Sequence, residues 1–133
     1  MATIKNFKEL NLWQLSRKLC QDIWVLKMET ELGRDYSLWN QINSSSGSIM
    51  DNIAEGFERD GNREFIQFLS IAKSSCAELE SQLFRAFDRN YFPKNKLDEL
   101  LFQCSQIQTG TAGFIKYLKL SSMKGNKYKD QDS

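Results

Sequence analysis

The sequence predicts an all-α protein, an antiparallel up-down-up-down four-helix bundle. Three observations predict it. Apolar residues recur at alternating three- and four-residue steps through four long segments, which places each set on one helical face. Helix breakers are sparse, with one proline, Pro93, and seven glycines among 133 residues, whereas a strand-rich chain needs a turn every few residues. The links between the segments are short, so consecutive helices are expected as antiparallel neighbours.

The first segment is expected from about Leu10 to Leu32. Leu12, Leu15, Leu19, Ile23 and Leu26 form its main stripe, and Trp13, Cys20, Trp24 and Met28 form a second apolar line beside it. Gly33 is the expected stop, because glycine tolerates the left-handed conformation that closes a helix. The second segment is expected from about Ser37 to Glu55, with Trp39, Ile42, Ser46, Ile49 and Ile53 on its stripe. Its middle, Asn43 to Ser48, reads as a loop by composition and serine and glycine are poor helix formers. The stripe nevertheless keeps its phase across those residues, so helix is the reading, with small side chains permitting a close neighbour.

The third segment is expected from about Arg63 to Arg89, where Phe65, Leu69, Ala72, Cys76, Leu79, Leu83 and Ala86 keep a strict four-three alternation. Asn62 is the expected N-cap, with Glu64 in the first turn, where the helix dipole favours an acid. Tyr91-Phe92-Pro93 breaks the chain, and Pro93 is placed in the first turn of the fourth segment. That segment runs from about Lys94 to Leu120, with Leu97, Leu100, Cys104, Ile107, Thr111, Phe114 and Leu118 inward. One domain spans the chain: a bundle over residues 7–120 and a polar tail over 121–133, expected to fray.

Composition narrows the function classes. Lysine and arginine number 18 against 17 acids, a formal net charge of +1, so bulk charge supplies no argument for nucleic acid. No apolar run is long enough to span a membrane and no secretory leader is visible, so a cytoplasmic protein is expected. The three cysteines, Cys20, Cys76 and Cys104, are odd in number and widely spaced, and are read as reduced, mostly buried thiols in preference to an intermolecular disulfide. Histidine is absent, which removes Ser-His and Cys-His nucleophiles, the histidine base and every histidine-containing zinc site.

Each remaining motif has a chemical and a structural reading. Asn52 and Glu55, facing Glu78 of the third segment, are read as a structural polar cluster that fixes helix register, in preference to a catalytic pair without a partner base. Gly56 to Gly61 is read as an interhelical turn, since Glu58 and Asp60 oppose a phosphate cradle. Ser74-Ser75-Cys76-Ala77 is read as small-residue packing. A dinuclear carboxylate site from Asp51, Glu55, Glu78 and Glu80 would lack the histidine that ferritin-like bundles use, and no catalytic, cofactor or metal residue is assigned. Trp13, Trp24 and Met28, beside the off-stripe phenylalanines of the third segment, widen the apolar surface beyond what one bundle core needs. They are assigned to a subunit interface. A surplus of three positive charges lies between Lys116 and Ser133. Arg59, Lys116, Lys119, Lys124 and Lys127 are the candidate nucleic-acid contacts, weighed against a solvated tail.

At Phe7 to Gln14, Gln41-Ile42, Ser48 to Arg59, Glu64 to Ala72 and Glu78 to Glu80, the chain resembles the four-helix-bundle proteins named after 23S rRNA intervening sequences. The resemblance implies an antiparallel bundle assembled as a ring-like homopentamer. It also implies relatedness to the accessory protein of diversity-generating retroelements, which binds its reverse transcriptase and nucleic acid. Met50, Asp51, Ser74 and Ser75 depart from the family pattern without threatening the bundle. The expected function is therefore a non-enzymatic, homo-oligomeric interaction scaffold with no small-molecule substrate. The alternative is a nucleic-acid-binding accessory protein acting with a reverse transcriptase or ribosomal RNA, distinguished by steep salt dependence.

Overall fold

A computed structural model describes residues 3–132, with side chains from 3 to 123. Four helices carry the fold: α1 (Asn11–Glu29), α2 (Tyr36–Phe57), α3 (Asn62–Asp88) and α4 (Lys94–Asp132). Short 3-10 turns precede α1 at Phe7–Glu9 and join α1 to α2 at Glu31–Arg34. Among the described residues there is no strand. Each helix packs on its neighbour in sequence, and α4 closes the bundle against α1, as short connections between antiparallel helices require. The all-α four-helix bundle is thus the observed architecture.

The stripes read from spacing are the core. Leu19, Ile23, Ile42, Ile49, Ile53, Leu69, Leu79, Leu83, Leu100 and Ile107 are buried, with Leu15 and Phe114 the half-buried members of their stripes. Two hydroxyls inside the core are satisfied by the preceding turn: Ser16 Oγ donates to Leu12 O at 2.7 Å and Thr111 Oγ1 to Ile107 O at 2.6 Å, the local arrangement open to a buried serine or threonine in a helix.

The serine-rich centre of α2 is continuous helix. Its small residues sit where α2 meets its neighbours: Ser45 Oγ donates to Gln82 Oε1 of α3, and Ser48 and Ser75 hydroxyls lie 2.9 Å apart across the same seam. Near the end of α2, Gly56 is buried so tightly that a Cβ there would lie 2.7 Å from Phe68 Cβ and 3.0 Å from Phe65 Cδ1. That close approach is why the helix carries glycine at this position.

Four boundaries differ from expectation. Helix α1 stops at Glu29 because Thr30 turns extended (φ −132°), and its hydroxyl both donates to Leu26 O (2.6 Å) and accepts from Leu32 N–H (3.3 Å). Gly33, the expected stop, lies in the following 3-10 turn. Asn62 is not the cap of α3; Gly61 takes that position at φ 96°, a conformation that favours glycine. The Asn62 amide instead donates to Leu118 O (3.3 Å) and Ser122 Oγ (3.1 Å), so its carboxamide ties the start of α3 to α4. Pro93 precedes α4 rather than entering it, with its carbonyl accepting from the N–H groups of Lys96 and Leu97. The polar segment expected to fray coincides with the last turns of α4, and its side chains from Lys124 onward lie outside the described ones.

Candidate functional site

The outer face of α1 and α2 carries one part of the apolar surplus, while Ile71 and Phe84 on α3 and Phe102, Tyr117 and Leu120 on α4 are exposed elsewhere on the bundle. Cys20 Sγ donates to Ser46 O at 3.3 Å, which fixes the side of α1 on which α2 lies. Trp24 and Met28, one and two turns further along that side, remain 52% and 64% exposed. The Trp24 ring rests against buried Trp39 of α2 with centroids 6.1 Å apart. Lys27 Nζ stands over both rings, 4.6 Å from Trp24 and 5.6 Å from Trp39, a cation–π arrangement. Tyr36, one turn before Trp39, is 74% exposed. Two helices therefore present Trp24, Met28 and Tyr36 outward, with a cation laid across the indoles.

Trp13 belongs to this line by spacing but is half-buried within the chain. Phe7 of the first 3-10 turn meets its ring edge-on at 5.1 Å, and the Arg17 guanidinium lies 5.8 Å from it. That turn is itself pinned by a capping box in which Asn6 accepts from Lys8 N–H and Glu9 accepts from the Asn6 backbone. Only Trp24 and Met28 of the three assigned interface residues offer broad open surface.

Asn52, Glu55 and Glu78 do not form one cluster. Asn52 is half-buried and donates to Ser48 O (2.7 Å) and Ser48 Oγ (3.0 Å), which leads to Ser75. Glu78 is exposed and accepts from Gln82 Nε2 at 3.2 Å, and the other end of Gln82 receives Ser45. Glu55 is exposed and pairs with Arg59 at 2.9 Å within its own chain segment. Register is thus held by two separate serine-centred bridges. Glu55 points away because position 55 lies off the buried arc of α2.

The basic candidates separate similarly. Arg59 is committed to Glu55 and lies 5.1 Å from the Phe68 ring. Lys116 and Lys119 are exposed on α4. The side chains of Lys124 and Lys127 lie outside the described residues.

Burial pushes the Cys76 thiol up to about 12, raises Cys104 further, and raises Cys20, so each is protonated near neutral pH. Ser75 is spent on Ser48. Among the described residues no three Cys, Asp or Glu side chains gather as metal ligands.

One constellation was missed from the sequence. Asp35, at the N-cap of α2, accepts from Leu38 N–H (3.3 Å), from the Tyr91 hydroxyl (2.7 Å) and from Arg89. The Tyr91 hydrogen bond, followed by those of Arg89 and Leu38, holds the Asp35 carboxyl below its ordinary range against the opposing effect of burial. An aspartate just before an apolar helix is a readable cap signal. Its partners, 54 and 56 residues away, are not.

With this geometry in view, a family comparison becomes decisive: the profile of the 23S rRNA-intervening sequence proteins matches residues 8–113. The chain belongs to that family. The matched span runs from the capping turn before α1 into α4 and so includes α1, α2, α3 and the first part of α4. Among solved structures, the chain is similar to a protein of unknown function from the S23 ribosomal protein family of Bacteroides thetaiotaomicron. The TM-score is 0.72 at 22% identity, covering 79% of this chain and 98% of the other, a likeness that shows the shared fold. No curated protein matches the chain significantly. Among the described residues no helix is long and apolar enough to cross a membrane.

Proposed function

We propose that this family member is a non-catalytic, homo-oligomeric scaffold whose subunits meet through the α1–α2 face. The carrying observation is the open surface of Trp24 and Met28 beside Trp39. Large apolar side chains grouped at helical spacing on two adjacent helices mark association surfaces. A tryptophan at the centre of such a patch is the residue type that contributes most on burial. Five copies in a ring is the number that the family resemblance implies. The lack of bond chemistry is supported by the absence of histidine and by core thiols held protonated.

The test is native mass measurement of the wild-type chain and of a Trp24→Glu/Met28→Glu variant. The wild type is expected as a multiple of 15.5 kDa, and the variant as a smaller species with unchanged helical circular dichroism. A wild-type monomer at micromolar concentration defeats the reading, as does a variant of unchanged mass.

A nucleic-acid-binding role is the second reading. It is favoured by the exposure of Lys116 and Lys119 one turn apart on α4, and salt-sensitive binding of an oligonucleotide is its measure.

A further inference from the structure

On the opposite side of the bundle from the α1–α2 face, α3 and α4 enclose an open groove of about 490 Å³. Its walls are Ser70, Lys73, Ser74 and Ala77 from α3, with Gln108, Ile115 and Lys119 from α4. Every charge on those walls is positive. Glu80, one turn beyond Ala77, lies off the walls. This is a local imbalance in a chain whose formal net charge is only +1.

Among the described residues Lys73 and Lys119 make no ion pair, whereas Lys18, Arg59, Arg89, Lys94 and Lys96 each hold a carboxylate. Lys116, one turn before Lys119, adds a further exposed cation. Ser70 Oγ is turned back to Ile66 O at 2.9 Å. The Ser74 hydroxyl and the Gln108 amide donate to nothing among the described residues. The groove thus combines two ammonium groups and two neutral donors with the apolar side chains of Ala77 and Ile115.

We propose that this groove is an oxyanion site for phosphate groups, held by Lys73 and Lys119 with the hydroxyl of Ser74 and the amide of Gln108. A phosphate presents several oxygens and engages ammonium and neutral donors from both walls at once. A carboxylate has two oxygens and is better matched by the planar fork of arginine, which the walls lack. Lysine acts on phosphate as a mobile point charge, suiting a groove open to solvent. The site deepens the second reading by assigning it residues, yet it does not require a nucleic acid, because a free polyphosphate would present the same groups. It is independent of association through α1 and α2.

The test titrates inorganic tripolyphosphate by calorimetry and, separately, a labelled single-stranded oligonucleotide by anisotropy at low and raised salt. Wild type is compared with Lys73→Gln, Lys119→Gln and, as a control of equal charge change, Lys94→Gln. Each groove variant is expected to weaken binding about tenfold, the loss of one charge-assisted hydrogen bond, with melting unchanged because both side chains are exposed. Lys94→Gln is expected to change it less than twofold. Binding of tripolyphosphate identifies a free phosphate compound as sufficient. Binding of the oligonucleotide alone assigns the groove to a strand. If neither probe binds, if Lys94→Gln weakens binding as much as the groove variants, or if poly-glutamate competes equally, the phosphate site is overturned. Failure of the oligonucleotide arm alone removes the nucleic-acid reading and leaves the groove standing.

Discussion

Single residues decide how the ends of this bundle are fastened. Asp35 serves twice, as the cap of α2 and as the acceptor for Tyr91 and Arg89 from the α3–α4 turn. Its folded pKa lies below the ordinary value of about 3.9, with the Tyr91 hydrogen bond the leading cause. A depressed carboxyl pKa means that the folded state binds fewer protons. The stabilisation is therefore present above the unfolded pKa and is lost as pH falls through the folded one. Tyr91 is shifted the opposite way, upward, chiefly by its hydrogen bond to Asp35. Its contribution is present below the ordinary tyrosine value of about 10 and is lost only as pH rises through the higher folded value. Asp35→Asn keeps a capping oxygen and removes the charge. It is expected to lower the melting midpoint at pH 7 and to flatten the acid limb below about pH 4. Melting curves across that range check it, and an acid limb as steep as that of the wild type would count against the clasp. A cap signal stands in the sequence at Asp35, shortly before the stripe that begins at Trp39, although it was not read there. The clasp has no such signal, because nothing local to residue 35 specifies what arrives from residues 89 and 91. Asn62 teaches the converse: a residue type that favours capping found better partners in Leu118 and Ser122 on another helix.

At the scale of elements, the α2–α3 pair is the tightest seam and the one most dependent on small side chains. Ser45, Ser48 and Gly56 of α2 meet Gln82, Ser75 and Phe68 of α3. The helical state of Asn43 to Ser48 was readable from the phase of Trp39, Ile42, Ile49 and Ile53, because burial of a continuous stripe outweighs weak intrinsic propensity. The role of Gly56 was not readable from its own surroundings. It reads as a helix stop until Phe65 and Phe68 of the next helix are set against it. Gly56→Ala places a methyl group within 2.7 Å of Phe68 Cβ. It is expected to destabilise the protein by about 1–3 kcal/mol, the usual cost of overpacking, although alanine is the better helix former. Urea unfolding measures this, and a variant as stable as wild type would show that the two helices separate freely at this point.

For the whole molecule, the question is which surfaces one chain leaves for others. Core burial closes the four stripes against one another, yet Trp24, Met28 and Tyr36 stay outside that closure. Trp13 is half-buried, because Phe7 packs edge-on against it. If subunits associate through this face, the melting temperature is expected to rise with protein concentration, since a partner that binds only the folded state stabilises it by mass action. Thermal melts over about a hundredfold range of concentration check this, and a constant midpoint would place the chain among monomers. The α3–α4 groove lies on the other pair of helices, so the proposed association and the proposed phosphate site can be tested separately.

The sequence by itself determined the helices, their inward faces and the family, because each is encoded in short-range periodicity and in contiguous motifs. Only the tertiary structure decided which polar residues meet. It separated Asn52, Glu55 and Glu78, joined Asp35 to Tyr91, and gathered Lys73 with Lys119. The physical reason is that a stripe specifies the arc of a helix that is buried. The axial offset of one helix against the next is set by side chains interlocking across the seam, so polar groups remote in sequence become partners only when that offset is fixed.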